Sequence, residues 1–197
     1  MRRRRLVVMV KEPRPGRVKT RLGRGIGTVP AAWWFRGQSR RLLRRLRDPR
    51  WDLILAVSPD AEGMRSRVWP ADLPRVPQGP GDLGRRMGGL MRALPPGPAC
   101  IVGSDVPGLG RAQVADAFAA LGRADAVLGP APDGGYWLVG LRRTAPPPAG
   151  LFEGVRWSSP HALADTERTL AGLRVARVAT LADVDTAADL RRGPSAA

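Results

Sequence analysis

Apolar residues fall along this chain in two rhythms. The runs Leu6–Val10, Asp52–Val57 and Ala99–Gly103 are short, nearly unbroken and rich in Val, Ile and Leu. Such runs predict strands buried on both faces, as in a parallel sheet. Between them the spacing becomes helical. Leu42, Leu43 and Leu46 share one face of a helix expected over residues 30–47, with Pro30 in its first turn. Asp82–Leu94 predicts a helix capped by Asp82, and Arg111–Leu121 another.

The second half continues the alternation. Asp125–Leu128 and Tyr136–Leu141 read as strands on either side of a Gly-rich turn, Pro160–Leu173 as helix, Arg174–Ala179 as extended chain and Thr186–Arg192 as a last short helix. A Pro- and Gly-rich stretch from Trp69 to Gly81 reads as a loop with a short strand near Val76. Strands alternating with helices predict an α/β fold, with a mostly parallel central sheet covered by helices on both faces. One domain over residues 1–192 with a frayed tail at 193–197 fits the length of 197 residues. Ligands of such sheets bind beyond the carboxyl ends of the strands.

Composition narrows the class. One cysteine, Cys100, excludes a disulfide framework or a multi-cysteine zinc site and suits a reducing, cytoplasmic setting. It sits in an apolar strand and reads as core. One histidine, His161, excludes a histidine-built metal site and reads as a helix-start residue. Trp33 and Trp34 read as packing residues. The apolar run after Arg2–Arg5 ends at Lys11, short of the roughly 7–15 residues of a signal peptide, and no stretch approaches the roughly 20 of a membrane span.

The net charge of +16 raises nucleic acid as a partner. No aromatic–basic interleaving or recognised module accompanies it, so nucleic acid is not the expected partner. All but two of the 33 cationic residues are arginine, the pattern that a coding bias toward GC-rich codons would produce. Both lysines, Lys11 and Lys19, lie in the loop after the first strand. An ammonium is a compact, rotatable charge and a guanidinium a planar fork, so a chain that keeps lysine here has a use for the ammonium.

That loop, Lys11-Glu12-Pro13-Arg14-Pro15-Gly16-Arg17-Val18-Lys19-Thr20-Arg21, brings five cations to the end of a strand, on a loop entering a helix. It reads as a phosphate cradle, although the Walker A spacing is absent. Gly103-Ser104-Asp105-Val106-Pro107 places a carboxylate just past a buried strand, suited to Mg²⁺ or Mn²⁺ or to a turn hydrogen bond. Pro132-Asp133-Gly134-Gly135 is either a ligand-facing turn or a plain hairpin. Asp183-Val184-Asp185-Thr186-Ala187-Ala188-Asp189 gathers three acids, as a helix cap or as a second metal ligand opposite Asp105. Gly79-Pro80-Gly81-Asp82-Leu83-Gly84 matches the dinucleotide-binding spacing, but no first strand precedes it, and the Rossmann reading fails on context.

In combination, Lys11–Leu22, Gln78–Met87, Gly103–Leu109, Asp133–Leu141, Leu151–Ser159 and Asp183–Leu190 resemble the DUF2064 family of nucleotide-diphospho-sugar transferase-like proteins, which have the GT-A fold. Some members are described as glycosyltransferases of arsenosugar biosynthesis. The resemblance implies a metal-dependent transferase related to the nucleotidyltransferases of molybdenum-cofactor and phospholactate metabolism. It implies Asp105 and Asp185 as ligands of Mg²⁺ or Mn²⁺, with Asp105, Lys19 and Asp133 in the catalytic set. Lys11, Arg14, Arg17, Lys19 and Arg21 would hold phosphates, with Gln78, Gly81, Asp82, Gly134 and Gly135 also facing the substrates. Arg85 stands where the family has an acid. The implied partners are a nucleotide-sugar and a small-molecule acceptor. The alternatives are an NTP with nucleotidyl transfer, or a non-catalytic nucleotide- or RNA-binding protein.

Overall fold

The computed structural model describes residues 3–192, so the expected frayed tail at 193–197 lies outside the described residues. The chain runs β1 (Arg5–Lys11), α1 (Thr20–Ile26), α2 (Thr28–Arg45), β2 (Asp52–Ser58), α3 (Asp60–Arg65), β3 (Arg75–Pro77) and α4 (Leu83–Ala93). It continues with β4 (Ala99–Gly103), α5 (Arg111–Ala120), β5 (Ala126–Pro130), β6 (Tyr136–Leu141), α6 (Ala162–Thr169), β7 (Val175–Arg177) and α7 (Ala187–Arg192).

The strands form one sheet in the order β3-β2-β1-β4-β6-β5-β7. Strands β1, β2, β3 and β4 are parallel, and β7 pairs parallel to β5. Strand β6 inserts antiparallel between β4 and β5. Side chains alternate across the pleat. Leu6, Val8 and Val10 of β1 face a core built with Leu42 and Leu43 of α2 and Val114 and Phe118 of α5. Val7 and Ile101 face the other core with Met87, Leu90 and Met91 of α4 and Ala162 of α6. Burial on both faces accounts for the unbroken apolar runs.

Differences from the expected elements have local causes. The expected helix at Pro160–Leu173 is trimmed to Ala162–Thr169: Ser159 Oγ donates to Arg156 O in a turn before it, and tight turns at Leu170 and Leu173 with Gly172 at φ 84° close it. The extended 174–179 segment pairs over three residues only. Helices α1 and α3 are additional. Helix α1 carries two glycines in seven residues and little apolar periodicity, and Gly25 stands where a Cβ would lie 2.8 Å from Ala187 Cβ of α7. It forms by packing rather than by propensity.

Candidate functional site

The carboxyl ends of β1 and β4 open into a cleft of about 780 Å³, within the size range of small-molecule sites. Strand β1 delivers Lys11 to its rim, and the loop beyond delivers Arg17, Lys19 and Arg21. Strand β4 delivers Asp105 one short turn past Gly103. A Cβ on Gly103 would sit 3.0 Å from Asp105 Oδ1, so the glycine lets the carboxylate fold back over the strand end.

The C-terminal segment supplies the remaining acids. It crosses the sheet ends under three ties: Trp137 Nε1 donates to Ala179 O at 2.9 Å, Leu181 N to Pro130 O at 3.1 Å and Val184 N to Asp105 O at 3.3 Å. Val184 is buried. In extended chain, its neighbours Asp183 and Asp185 project together on the opposite side. Asp189 stays outside this group. Its Oδ2 accepts from the Asp185 and Thr186 amides and from the Thr186 hydroxyl.

Lys19 sits at the centre. Its backbone is left-handed (φ 46°, ψ 49°), and its side chain is only 6% exposed. The ammonium lies 2.6 Å from Asp105 Oδ2, 2.9 Å from Asp185 Oδ1 and 3.4 Å from Asp183 Oδ2. Burial alone would disfavour the charged amine. The carboxylates outweigh it, Asp105 foremost, and hold Lys19 well above the usual lysine range. Burial pushes the Asp183 carboxyl up, against the pull of Lys19 and reinforced by Asp105 and Asp185. Asp185 is held below the usual range, because Lys19 and Arg21 outweigh its burial.

The five loop cations therefore divide. Arg14 turns away to Glu62 at 3.1 Å and does not line the cleft. Lys19 is inside the acidic cradle rather than presented to a phosphate, and Arg21 pairs with Asp185 at 2.8 Å. Lys11 and Arg17 line the cleft with no ion pair among the described residues.

The remaining predicted residues take mixed places. Gln78 lines the cleft, but its amide donates to Val10 O at 3.0 Å and Ala56 O at 2.9 Å, tying β1 to β2. Asp82 caps α4, accepting from Arg85 N at 2.8 Å, and Gly81 turns with φ 97°, its carbonyl accepting from Arg86 Nε. Neither lines the cleft. Asp133 does, with its Oδ1 accepting from Gly135 N at 2.9 Å. Gly134 (φ 83°) meets protein, not ligand: a Cβ there would lie 2.2 Å from Pro160 O.

Sequence reasoning missed Asp183 as the third carboxylate, although the Asp-Val-Asp alternation around a buried valine was a usable signal. It also missed the wall formed by Tyr136, Ser158 and Ser159. Ser158 holds φ 56°, a conformation uncommon outside glycine. Its turn is anchored by the buried Asp165, which accepts from Arg156 N, Nε and Nη2 at 2.8–3.0 Å. Those guanidinium and amide hydrogen bonds hold the Asp165 carboxyl well below the usual range. Among the described residues, no three His, Cys, Asp or Glu side chains are gathered closely enough to hold a metal by themselves.

The sheet order, the antiparallel insertion of β6 and the charged cleft at the strand ends define an α/β protein of the nucleotide-diphospho-sugar transferase-like fold. Within that class, the chain belongs to the family described as uncharacterized protein conserved in bacteria (DUF2064), whose model matches residues 42–159. It is similar in structure to a candidate nucleotide-diphospho-sugar transferase from Desulfovibrio desulfuricans G20. The two share 31% identity with a TM-score of 0.82, over 96% of this chain and 85% of that one. The fold is shared with 4-diphosphocytidyl-2C-methyl-D-erythritol synthase from Anaerococcus prevotii DSM 20548 (11% identity, TM-score 0.60, 96% of each chain). It is also shared with the manganese complex of Rv0371c from Mycobacterium tuberculosis H37Rv (18% identity, TM-score 0.58, 97% of each chain). No curated protein matches the chain in sequence. Among the described residues, no helix is long and apolar enough to cross a membrane.

Proposed function

We propose that this protein is a metal-dependent glycosyltransferase that takes a nucleotide-sugar donor and passes the sugar to a small-molecule acceptor. The observation that carries this reading is the division of the loop cations beside the aspartate cradle. In the resting cleft Lys11 and Arg17 are the loop cations free of carboxylate partners among the described residues, a pair matched to the two phosphoryl groups of a sugar donor.

Asp105 and Asp185 fit Mg²⁺ or Mn²⁺. Their oxygens are hard donors converging on one point, now taken by the Lys19 nitrogen. Magnesium is held by one or two carboxylates completed by phosphate oxygens, so a set too sparse to bind alone is in character. When bound, the metal would neutralise charge developing on the departing diphosphate.

Lys11 and Arg17 orient the diphosphate in the cleft. Asp133, at the rim, accepts the proton of the acceptor hydroxyl as its oxygen bonds the anomeric carbon and the bond from that carbon to the diphosphate breaks. The nucleoside diphosphate leaves with the electron pair. Positioning and electrostatics thus carry most of the catalysis. The fold shared with the diphosphocytidyl-methylerythritol synthase favours a second reading, in which a nucleoside monophosphate passes from an NTP to a phosphorylated acceptor and pyrophosphate leaves.

A thermal-shift panel of sugar nucleotides and nucleoside triphosphates, with and without Mg²⁺ or Mn²⁺, tests the site on wild type and Asp105→Ala. Binding raises the melting temperature by mass action. The expected result is a metal-dependent rise with sugar nucleotides that the substitution abolishes. A rise confined to triphosphates, with pyrophosphate release, would move the assignment to nucleotidyl transfer, and no rise with any ligand would remove the site.

A further inference from the structure

The lysine in the cradle and a bound metal need the same oxygens. Lys19 offers three N–H donors, and three carboxylates surround them, Asp105 and Asp185 at 2.6 and 2.9 Å and Asp183 at 3.4 Å. Magnesium needs carboxylate oxygens at roughly 2.0–2.1 Å. Each carboxylate turns one oxygen to the ammonium, and a metal drawing on those three converging oxygens must displace it. Displacement is opposed by a buried side chain and three charge-assisted contacts. Metal alone is thus a poor ligand of this site.

A diphosphate changes the balance. The cleft beside the cradle carries Lys11 and Arg17 without carboxylate partners among the described residues, so phosphate oxygens settle there. They offer the Lys19 ammonium acceptors a short swing away, on an unbranched and rotatable stem. The vacated aspartates and the same phosphates then complete a metal's coordination. The residue type fits this exchange. An arginine fork could not give one N–H to each of three converging carboxylates and then turn to phosphate, and the chain keeps one of its two lysines here.

We propose that Lys19 is the resident cation of the Asp105–Asp183–Asp185 cradle, and that a divalent metal enters only together with a diphosphate, which takes over the ammonium. This rests on the metal-dependent reading above and adds an order to it: the ligand recognised is the metal–diphosphate pair. Each member then strengthens the binding of the other by the same factor.

Equilibrium dialysis of Mn²⁺ against the full chain tests the exchange, counting only protein-retained metal. Wild type retains little Mn²⁺ alone, and Lys19→Met retains it at least about tenfold more tightly. Arg21→Met controls for charge, because Arg21 touches Asp185 at 2.8 Å from outside the cradle. It frees one Asp185 oxygen but leaves the ammonium in place, so it should raise affinity severalfold less than Lys19→Met does. A Lys19→Met protein that binds Mn²⁺ no better than wild type overturns the proposal, and so does an Arg21→Met protein that matches it.

Should Lys19→Met fail to fold, wild type decides. A nucleoside diphosphate that stabilises the protein must raise retained Mn²⁺ by at least about tenfold. Measurable retention that is equal with and without it overturns the exchange and leaves the metal-dependent transferase intact. Nucleotide binding with no Mn²⁺ retained overturns both.

Discussion

The loop after β1 and the loop before α4 look alike on paper and behave differently in the fold. Residues 11–21 are charged and Pro-containing, and Lys11, Arg17, Lys19 and Arg21 line the cleft or the cradle. Residues 79–84 carry the Gly-x-Gly-x-x-Gly spacing of a nucleotide-binding turn, yet their work is packing. A Cβ on Gly84 would lie 2.9 Å from Trp157 and 3.0 Å from Phe152, and Asp82 spends its carboxylate on the α4 cap. The glycine spacing records a joint between α4 and the aromatic segment carrying the Ser158 turn. A glycine motif therefore reports close backbone approach, and only the neighbouring chain says whether a ligand or a side chain makes that approach.

Three variants sharpen this contrast, from the largest effect down. Lys11→Ala with Arg17→Ala should weaken binding of a stabilising nucleotide by about a hundredfold, from two lost charge-assisted contacts. The melting temperature without ligand should barely move. Titration calorimetry beside a melting curve separates the two, and loss of stability with affinity unchanged would reverse the roles of the loops.

Gly84→Ala should do the opposite. Overpacking against Trp157 and Phe152 destabilises by about 1–3 kcal/mol, against a gain of at most about 1 kcal/mol from helix propensity. Urea unfolding reads the net loss, and an unchanged or raised midpoint would show that the joint has slack. Asp82→Ala removes a helix cap, with a cost of about 1 kcal/mol. Nucleotide affinity in the folded variant should stay at the wild-type value, and a drop of tenfold would return Asp82 to the binding set.

How much was legible follows from how far each feature reaches along the chain. Strands β1, β2 and β4 announced themselves because burial on both faces leaves no polar position to blur the run. The Asp82 cap was legible because a cap is local. Helix α1 was not, since Gly23 and Gly25 argue against a helix until the contact with α7 is known. The placement of β6 between β4 and β5 is a matter of strand order that no window along the chain contains.

The site divides in the same way. Asp105 and Asp185 were suspected partners, but a lysine between them is invisible to motif reading, because a basic loop far from the acids in sequence suggests phosphate first. Gly134 could be assigned a positive φ from its turn, while its neighbour Pro160 could be known only from the fold.

The one thiol offers a practical consequence. Cys100 lies in the middle of the sheet with no exposed surface, and burial pushes its thiol far up from the usual range. It is therefore protonated and screened from reagents under ordinary conditions. A cysteine introduced on the 11–21 loop would be the sole thiol open to maleimide, so a fluorophore or spin label could follow that loop without first stripping the chain of its native sulfur.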